Sequence, residues 1–188
     1  MSLSPTFLEN IVLLILTALI TGFGIPYVLK KVEARKLQEQ KKFEASLIRQ
    51  GKIIESQSKL LDDLSELLWK WRYLAKKVVY YGSEKNMERY DLARKQYDES
   101  VWDILQDFRA EISRSRRLVS ENAFEKLNKL YGYVVYEIDQ EISDLIKMEE
   151  LDVERAIEIA QRFSEEVSKR LDDAIDDLAS ELNLKIRD

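Results

Sequence analysis

Apolar residues fall along this chain in one unbroken block followed by four periodic ones. From Asn10 to Leu29, twenty successive residues carry no formal charge. As a helix they reach roughly 30 Å, the thickness of a bilayer's hydrocarbon core. Pro5 suits a first helical turn, and Thr6 followed by Glu9 reads as a capping box. Beyond Val32 the apolar positions return at intervals of three and four, the helical period. Phe43, Leu47, Ile54, Leu61, Leu64, Leu68, Trp71, Ala75 and Val78 trace one heptad-like seam. "YYGSEKN" closes it, with Gly82 read as the terminator and Ser83 as the next cap. Met87, Tyr90, Tyr97, Val101, Ile104, Phe108 and Ile112 form the second face, which breaks at "SRSRRLVSEN". Ser120 then caps a third run, Phe124 through Leu145, and Asp152 a fourth, Ala156 through Leu182.

The spacing predicts helices over 53–81, 84–114, 121–149 and 153–184, each about thirty residues and roughly 45 Å long. Matched lengths and short connections require an up-down-up-down antiparallel four-helix bundle. No segment alternates with the period of a strand. The fold class is all-α: an N-terminal single transmembrane helix over 1–30, a basic juxtamembrane helical stalk over 31–52, and a cytosolic four-helix bundle over 53–188. By parity the turn at 115–120 and the end of the fourth helix face the membrane side.

Charge sharpens this picture. Residues 30–52 hold eight basic against three acidic groups, and residues 149–188 hold six against thirteen. The collar Lys30, Lys31, Arg35, Lys36, Lys41 and Lys42 lies wholly C-terminal to the apolar block. The positive-inside rule therefore sets the N-terminus outside and the C-terminal domain in the cytoplasm. The same charges attract the head groups of an anionic leaflet, each contributing about 1 kcal/mol near the surface. A secretory signal peptide fits poorly, because "MSLSPTFLE" has no basic residue and the apolar run is too long. "TGFGIP" interrupts the span. It reads first as a tolerated kink and, more sharply, as a candidate hinge at Gly22, Gly24 and Pro26. Its spacing is not the GxxxG of helix dimers.

The composition excludes much chemistry. The chain has no cysteine and no histidine among its 188 residues. That removes thiolate metal sites, cysteine nucleophiles, disulfides and the usual acid–base group near neutral pH. Asp172, Asp173, Asp176 and Asp177 spell a DDxxD, but they flank Leu171, Ile175 and Leu178 as a solvated face does. Glu149, Glu150, Glu154, Glu165 and Glu166 lack the spacing of helical pyrophosphohydrolases, and a di-iron bundle needs histidine. No catalytic residue, cofactor or metal site is assigned. Arg114, Arg116 and Arg117 precede the helix capped by Ser120, a candidate anion-binding turn. "WKWRYLAKKVVYY" and "YGYVVY" offer aromatic stacking partners for a ligand that is a nucleotide, a lipid head group or a partner's acidic tail, anionic lipid being a natural candidate at the membrane end. An acidic body without a one-sided basic stripe argues against nucleic acid.

The expected function is a non-catalytic, membrane-anchored scaffold, adaptor or sensor that presents its bundle to a cytosolic protein partner, with homo-oligomers through the stalk. The alternatives are an oligomeric membrane-perturbing effector and, last, a magnesium-dependent diphosphate enzyme using the motif at 172–176.

Overall fold

The computed structural model describes the backbone of residues 5–182 and the side chains of Glu9 and residues 12–182. All regular structure among the described residues is helical. The elements are α1 (Pro5–Leu19), α2 (Ile25–Ser83), α3 (Met87–Ser115), α4 (Glu121–Gly132), α5 (Gln140–Ile146), α6 (Val153–Arg162) and α7 (Ser168–Glu181). Three π-helical segments join consecutive helices without a turn: Ile20–Gly24, Tyr133–Asp139 and Phe163–Val167. The chain divides into two compact units between Lys52 and Ile53.

In the first unit the side chains from Val12 to Lys52 are all exposed. The capping box read at Thr6 lies outside the described side chains. Phe43 and Leu47, assigned to the seam from their spacing, are 63% and 49% exposed. A heptad-like pattern buries residues only where a second helix faces it.

The second unit is the bundle, and its cross-helix contacts give the direction of each helix. Lys77 bonds Gln96 at 2.6 Å and Gln57 bonds the Leu118 carbonyl at 2.7 Å, so residue numbers fall along α3 as they rise along α2. Arg109 bonds Asn128 at 2.8 Å, while Tyr97 meets Asp139, so the third helix (α4, its π segment and α5) runs back along α3. Lys126 pairs with Asp177 at 3.2 Å and Arg162 with Glu141, which reverses the fourth helix (α6, its π segment and α7) against the third. The Trp71 and Phe163 rings meet at 5.8 Å across the interior. Leu64, Ala75, Tyr97, Ile112, Val134, Leu145 and Val167 lie in one apolar core. Its register differs slightly from the spacing. Leu60 and Leu105 are buried where Leu61 and Ile104 were expected, and Ile54 and Met87 stay exposed.

The connections follow capping chemistry, with two corrections. Helix α2 runs through Gly82, which is buried, and ends in a Schellman motif. Asn86 N–H donates to the Tyr81 carbonyl at 3.1 Å and Lys85 N–H to Gly82 at 3.2 Å. Lys85, at φ 57°, occupies the left-handed position usual for glycine. Asn86, not Ser83, caps α3, accepting from Arg89 N–H at 3.2 Å. The Ser83 hydroxyl instead donates back to the Tyr80 carbonyl. Gly82 serves packing. A Cβ there would lie 3.2 Å from the Ala156 Cβ, so glycine lets α6 approach α2. Gly82→Leu is expected to destabilise the bundle by about 1–3 kcal/mol through overpacking, read as a lower urea midpoint at unchanged slope. Ser120 and Asp152 cap their helices as their sequence context predicts, accepting from Ala123 and Arg155 N–H at 3.1 and 3.0 Å. The third helix ends at Ile146, three residues short of the expected 149. Residues 183 and 184, expected to close the fourth, lie outside the described residues.

Candidate functional site

One helix among the described residues, Val12–Ser83, is long and apolar enough to cross a membrane, and it lies near the N-terminus. Among the described residues nothing covers its apolar portion: Leu14 is 72% exposed and Phe23 75%. Water opposes such a surface, because each buried leucine or phenylalanine side chain is worth about 1.5–3 kcal/mol when it leaves solvent. The Thr17 and Thr21 hydroxyls donate to the Leu13 and Thr17 carbonyls at 2.8 and 2.7 Å. Both polar groups are thereby paired within the helix, as an apolar environment requires.

Residues Gly22 and Gly24 fall inside the π-helical turn Ile20–Gly24, where Ile25 N–H donates to the Ile20 carbonyl. Pro26 explains the turn's position. Its ring has no N–H for the carbonyl one turn back and would crowd it, and a wide turn just before it opens that space. Apart from the adjoining helix backbone, no described atom would lie within 4 Å of a Cβ at Gly22 or Gly24. The collar Lys30, Lys31, Arg35, Lys36, Lys41 and Lys42 follows on α2, every member exposed.

The arginine turn is placed at one end of the bundle. Arg114 pairs with Glu111 at 2.5 Å, Arg116 lies 5.8 Å over the Phe124 ring, and Arg117 is exposed. Ser120 accepts from Ala123 N–H and also donates to the Glu181 carboxylate. A carboxylate of the chain itself thus stands at the positive end of α4, where an added anion would meet its repulsion. Two aromatics of the first stretch, Trp69 and Tyr73, stand away from this turn. Trp69 and Tyr73 stack on each other at 5.5 Å, with the Lys77 ammonium over Tyr73. They lie about 20 Å along α2 from Gln57, which contacts the turn.

The acidic motif stays at the surface. Asp172, Asp173, Asp176 and Asp177 are all exposed, with Asp172 on Arg72 at 2.8 Å and Asp177 on Lys126. Among the described residues, no group of three or more acidic side chains converges as metal ligands do.

The polar group that the sequence did not reveal is Asp139, 6% exposed in the middle of the core. Tyr97, fully enclosed, donates its hydroxyl to the Asp139 carboxylate. Burial raises the Asp139 carboxyl above the usual carboxylate range, opposed by the Tyr97 hydrogen bond, by Trp71 and by the Lys147 charge. Burial first, and then the charge of Asp139, push the Tyr97 phenol upward. The Trp71 indole N–H is buried without a hydrogen bond of full geometry, yet its dipole favours the ionised form of both neighbours. The π segment brings Asp139 inward. In a regular helix a residue five positions after Val134 sits roughly 140° away from it. A π turn is wider, with hydrogen bonds running i→i+5, which narrows that angle and lets Val134 and Asp139 both enter the core, as Tyr133 and Ile138 do.

No family model matches the chain, and no curated protein or solved structure matches it either. Its class is set by its own architecture: an all-α protein with a helical bundle and a long, uncovered apolar helix near the N-terminus.

Proposed function

We propose that this protein is a non-catalytic, single-pass membrane protein whose bundle is held in the cytosol as a scaffold, adaptor or sensor for a protein partner. The observation that carries this reading is the exposed apolar helix from Val12 to Leu29, followed at once by the basic collar. An apolar helical surface of that length suits lipid, and helical hydrogen bonding lets its backbone enter a medium without water. The collar supports this direction, because lysine and arginine beside a span favour the cytosolic side. They also face the anionic leaflet, where attraction falls off within a Debye length. The bundle core is filled by apolar side chains around one buried carboxylate, which supports presentation of a surface over turnover of a substrate.

The absence of cysteine makes the topology directly measurable. With Ser2→Cys and Ser46→Cys made singly, a membrane-impermeant maleimide is expected to label the first in intact cells and the second only after lysis. The opposite pattern, or labelling of both in intact cells, overturns the orientation. Recovery of either variant in the soluble fraction overturns the anchor.

A further inference from the structure

A groove of about 320 Å³ runs between α4 and α7. Its floor is apolar, made by Ala123, Leu127, Leu130, Ala174 and Leu178. Two of these are alanine, so the helices meet there without filling the space between them. The helices run antiparallel, which puts Ala123 and Glu181 at one end of the groove and Leu130 and Arg170 at the other.

The charges around the groove are sorted. Asp173, Asp177 and Glu181 line the α7 side in successive turns, and Arg170 follows at the far end. Asp177 is shared with Lys126, and Glu181 accepts from Ser120. Asp173, Arg170 and Lys129, also at the groove, have no ion-pair partner among the described residues. Helix α7 ends at Glu181, where Leu182 N–H donates to the Leu178 carbonyl at 3.0 Å. The chain therefore leaves the helix at the acidic end of the groove. Residues 183–188, outside the described residues, read Asn-Leu-Lys-Ile-Arg-Asp. Asparagine is, after glycine, the residue that most readily takes the left-handed position that reverses a chain after a helix. Apolar and basic residues then alternate, and an acidic one follows.

The geometry points to residues 184–188 as the occupant of this groove, laid back along α7 in extended form. Extended residues two apart are separated by about 6.6 Å and helical residues four apart by about 6 Å, so the two spacings agree. Leu184 then covers Leu178, and Ile186 covers Ala174. Lys185 and Arg187 alternate away from the floor, and their long stems carry the charges to the α7 rim beside Asp177 and Asp173. Asp188 comes to Arg170 and Lys129. One register thus gives each of the five residues a complement, two by apolar contact and three by charge. Exposed ion pairs add little on their own, so the apolar contacts hold the segment and the charges set its register. A partner reaches this face of the bundle only by displacing the segment. The inference holds whether or not the apolar helix lies in a membrane.

The absence of native cysteine allows a direct test by disulfide cross-linking of the full chain in detergent micelles. Ala174→Cys with Ile186→Cys is expected to close an intramolecular disulfide under mild oxidation, read as a faster-migrating monomer band. Asp172→Cys with Ile186→Cys is the control, because Asp172 lies at the same depth on α7 but lines the groove against α2. It should cross-link at least tenfold more slowly. Lys185→Glu and Arg187→Glu, added to the first pair, should slow closure several-fold. Equal rates for the two cysteine pairs overturn the proposal, and so does unchanged closure after the charge reversals. A disulfide-linked dimer in place of the monomer band also overturns it, by giving the groove to a second copy.

Discussion

Replacing Leu16 and Leu19 together by arginine is expected to move the protein from the carbonate-washed membrane pellet into the soluble or aggregated fraction. Both side chains are about half exposed on α1, with no protein neighbour covering them. At the centre of a span each arginine opposes insertion by about 2.5–3.5 kcal/mol, and each lost leucine removes a smaller favourable contribution. The pair therefore shifts the partition by on the order of 6 kcal/mol, a factor near ten thousand. The bundle should not register the change, because Leu16 and Leu19 belong to the other compact unit. Its thermal unfolding serves as the internal control. If the double variant stays in the washed pellet, α1 is not what holds the protein to membranes.

Tyr97→Phe is expected to weaken the bundle by about 2–3 kcal/mol, because it removes the donor to a buried carboxylate while leaving the carboxylate in place. Asp139→Asn keeps an acceptor for the Tyr97 hydroxyl without the buried charge, so the double variant should lose less than the two single losses combined. The pH dependence has a defined sign. Burial holds the Asp139 carboxyl above its unfolded value, so the folded state binds the proton more tightly. Its stabilising contribution is complete below the ordinary aspartate range near pH 4. It fades as pH rises through the folded value, since the unfolded chain ionises first. The Tyr97 hydrogen bond, the nearby Trp71 indole dipole and the Lys147 charge limit that window by favouring the ionised form. Urea denaturation between pH 4 and 7 should show wild type losing ground to Asp139→Asn as pH increases. A constant gap between the two across that range would mean that Asp139 titrates as a solvated carboxylate.

The arrangement of four helices was open to reading from spacing alone, as were the caps at Ser120 and Asp152. Period and cap chemistry are local, so neighbours in sequence suffice to specify them. The fourth helix even announces its irregularity. Ile159, Phe163, Val167 and Leu171 keep a spacing of four for three steps, which drifts off one face in a regular helix. The π segment Phe163–Val167 absorbs that drift, and all four residues are buried. The third helix gave no such warning. Asp139 is polar and off the 3.6-residue seam, and it counts as a surface residue until the wide turn after Gly132 rotates it inward.

Glycine and serine at the α2–α3 junction were misleading for a related reason. The turn chemistry fits Gly82 and Ser83, but the close approach of Ala156 requires glycine one turn before the chain reverses. Once Gly82 is held inside α2, Lys85 and Asn86 take over the stop and the cap. Likewise, the arginine turn was visible as a charge cluster, whereas Glu181 reaching Ser120 from far along the chain was not.

The sequence by itself determined the helical content, the uncharged apolar run, the charge step that follows it and the exclusion of cysteine and histidine chemistry, because composition and short-range periodicity carry those facts. Only the tertiary structure decided which apolar seams are covered and which carboxylate enters the core. Those outcomes depend on contacts between residues on different helices, and on π turns whose phase shifts are set by packing against neighbouring helices rather than by any local preference.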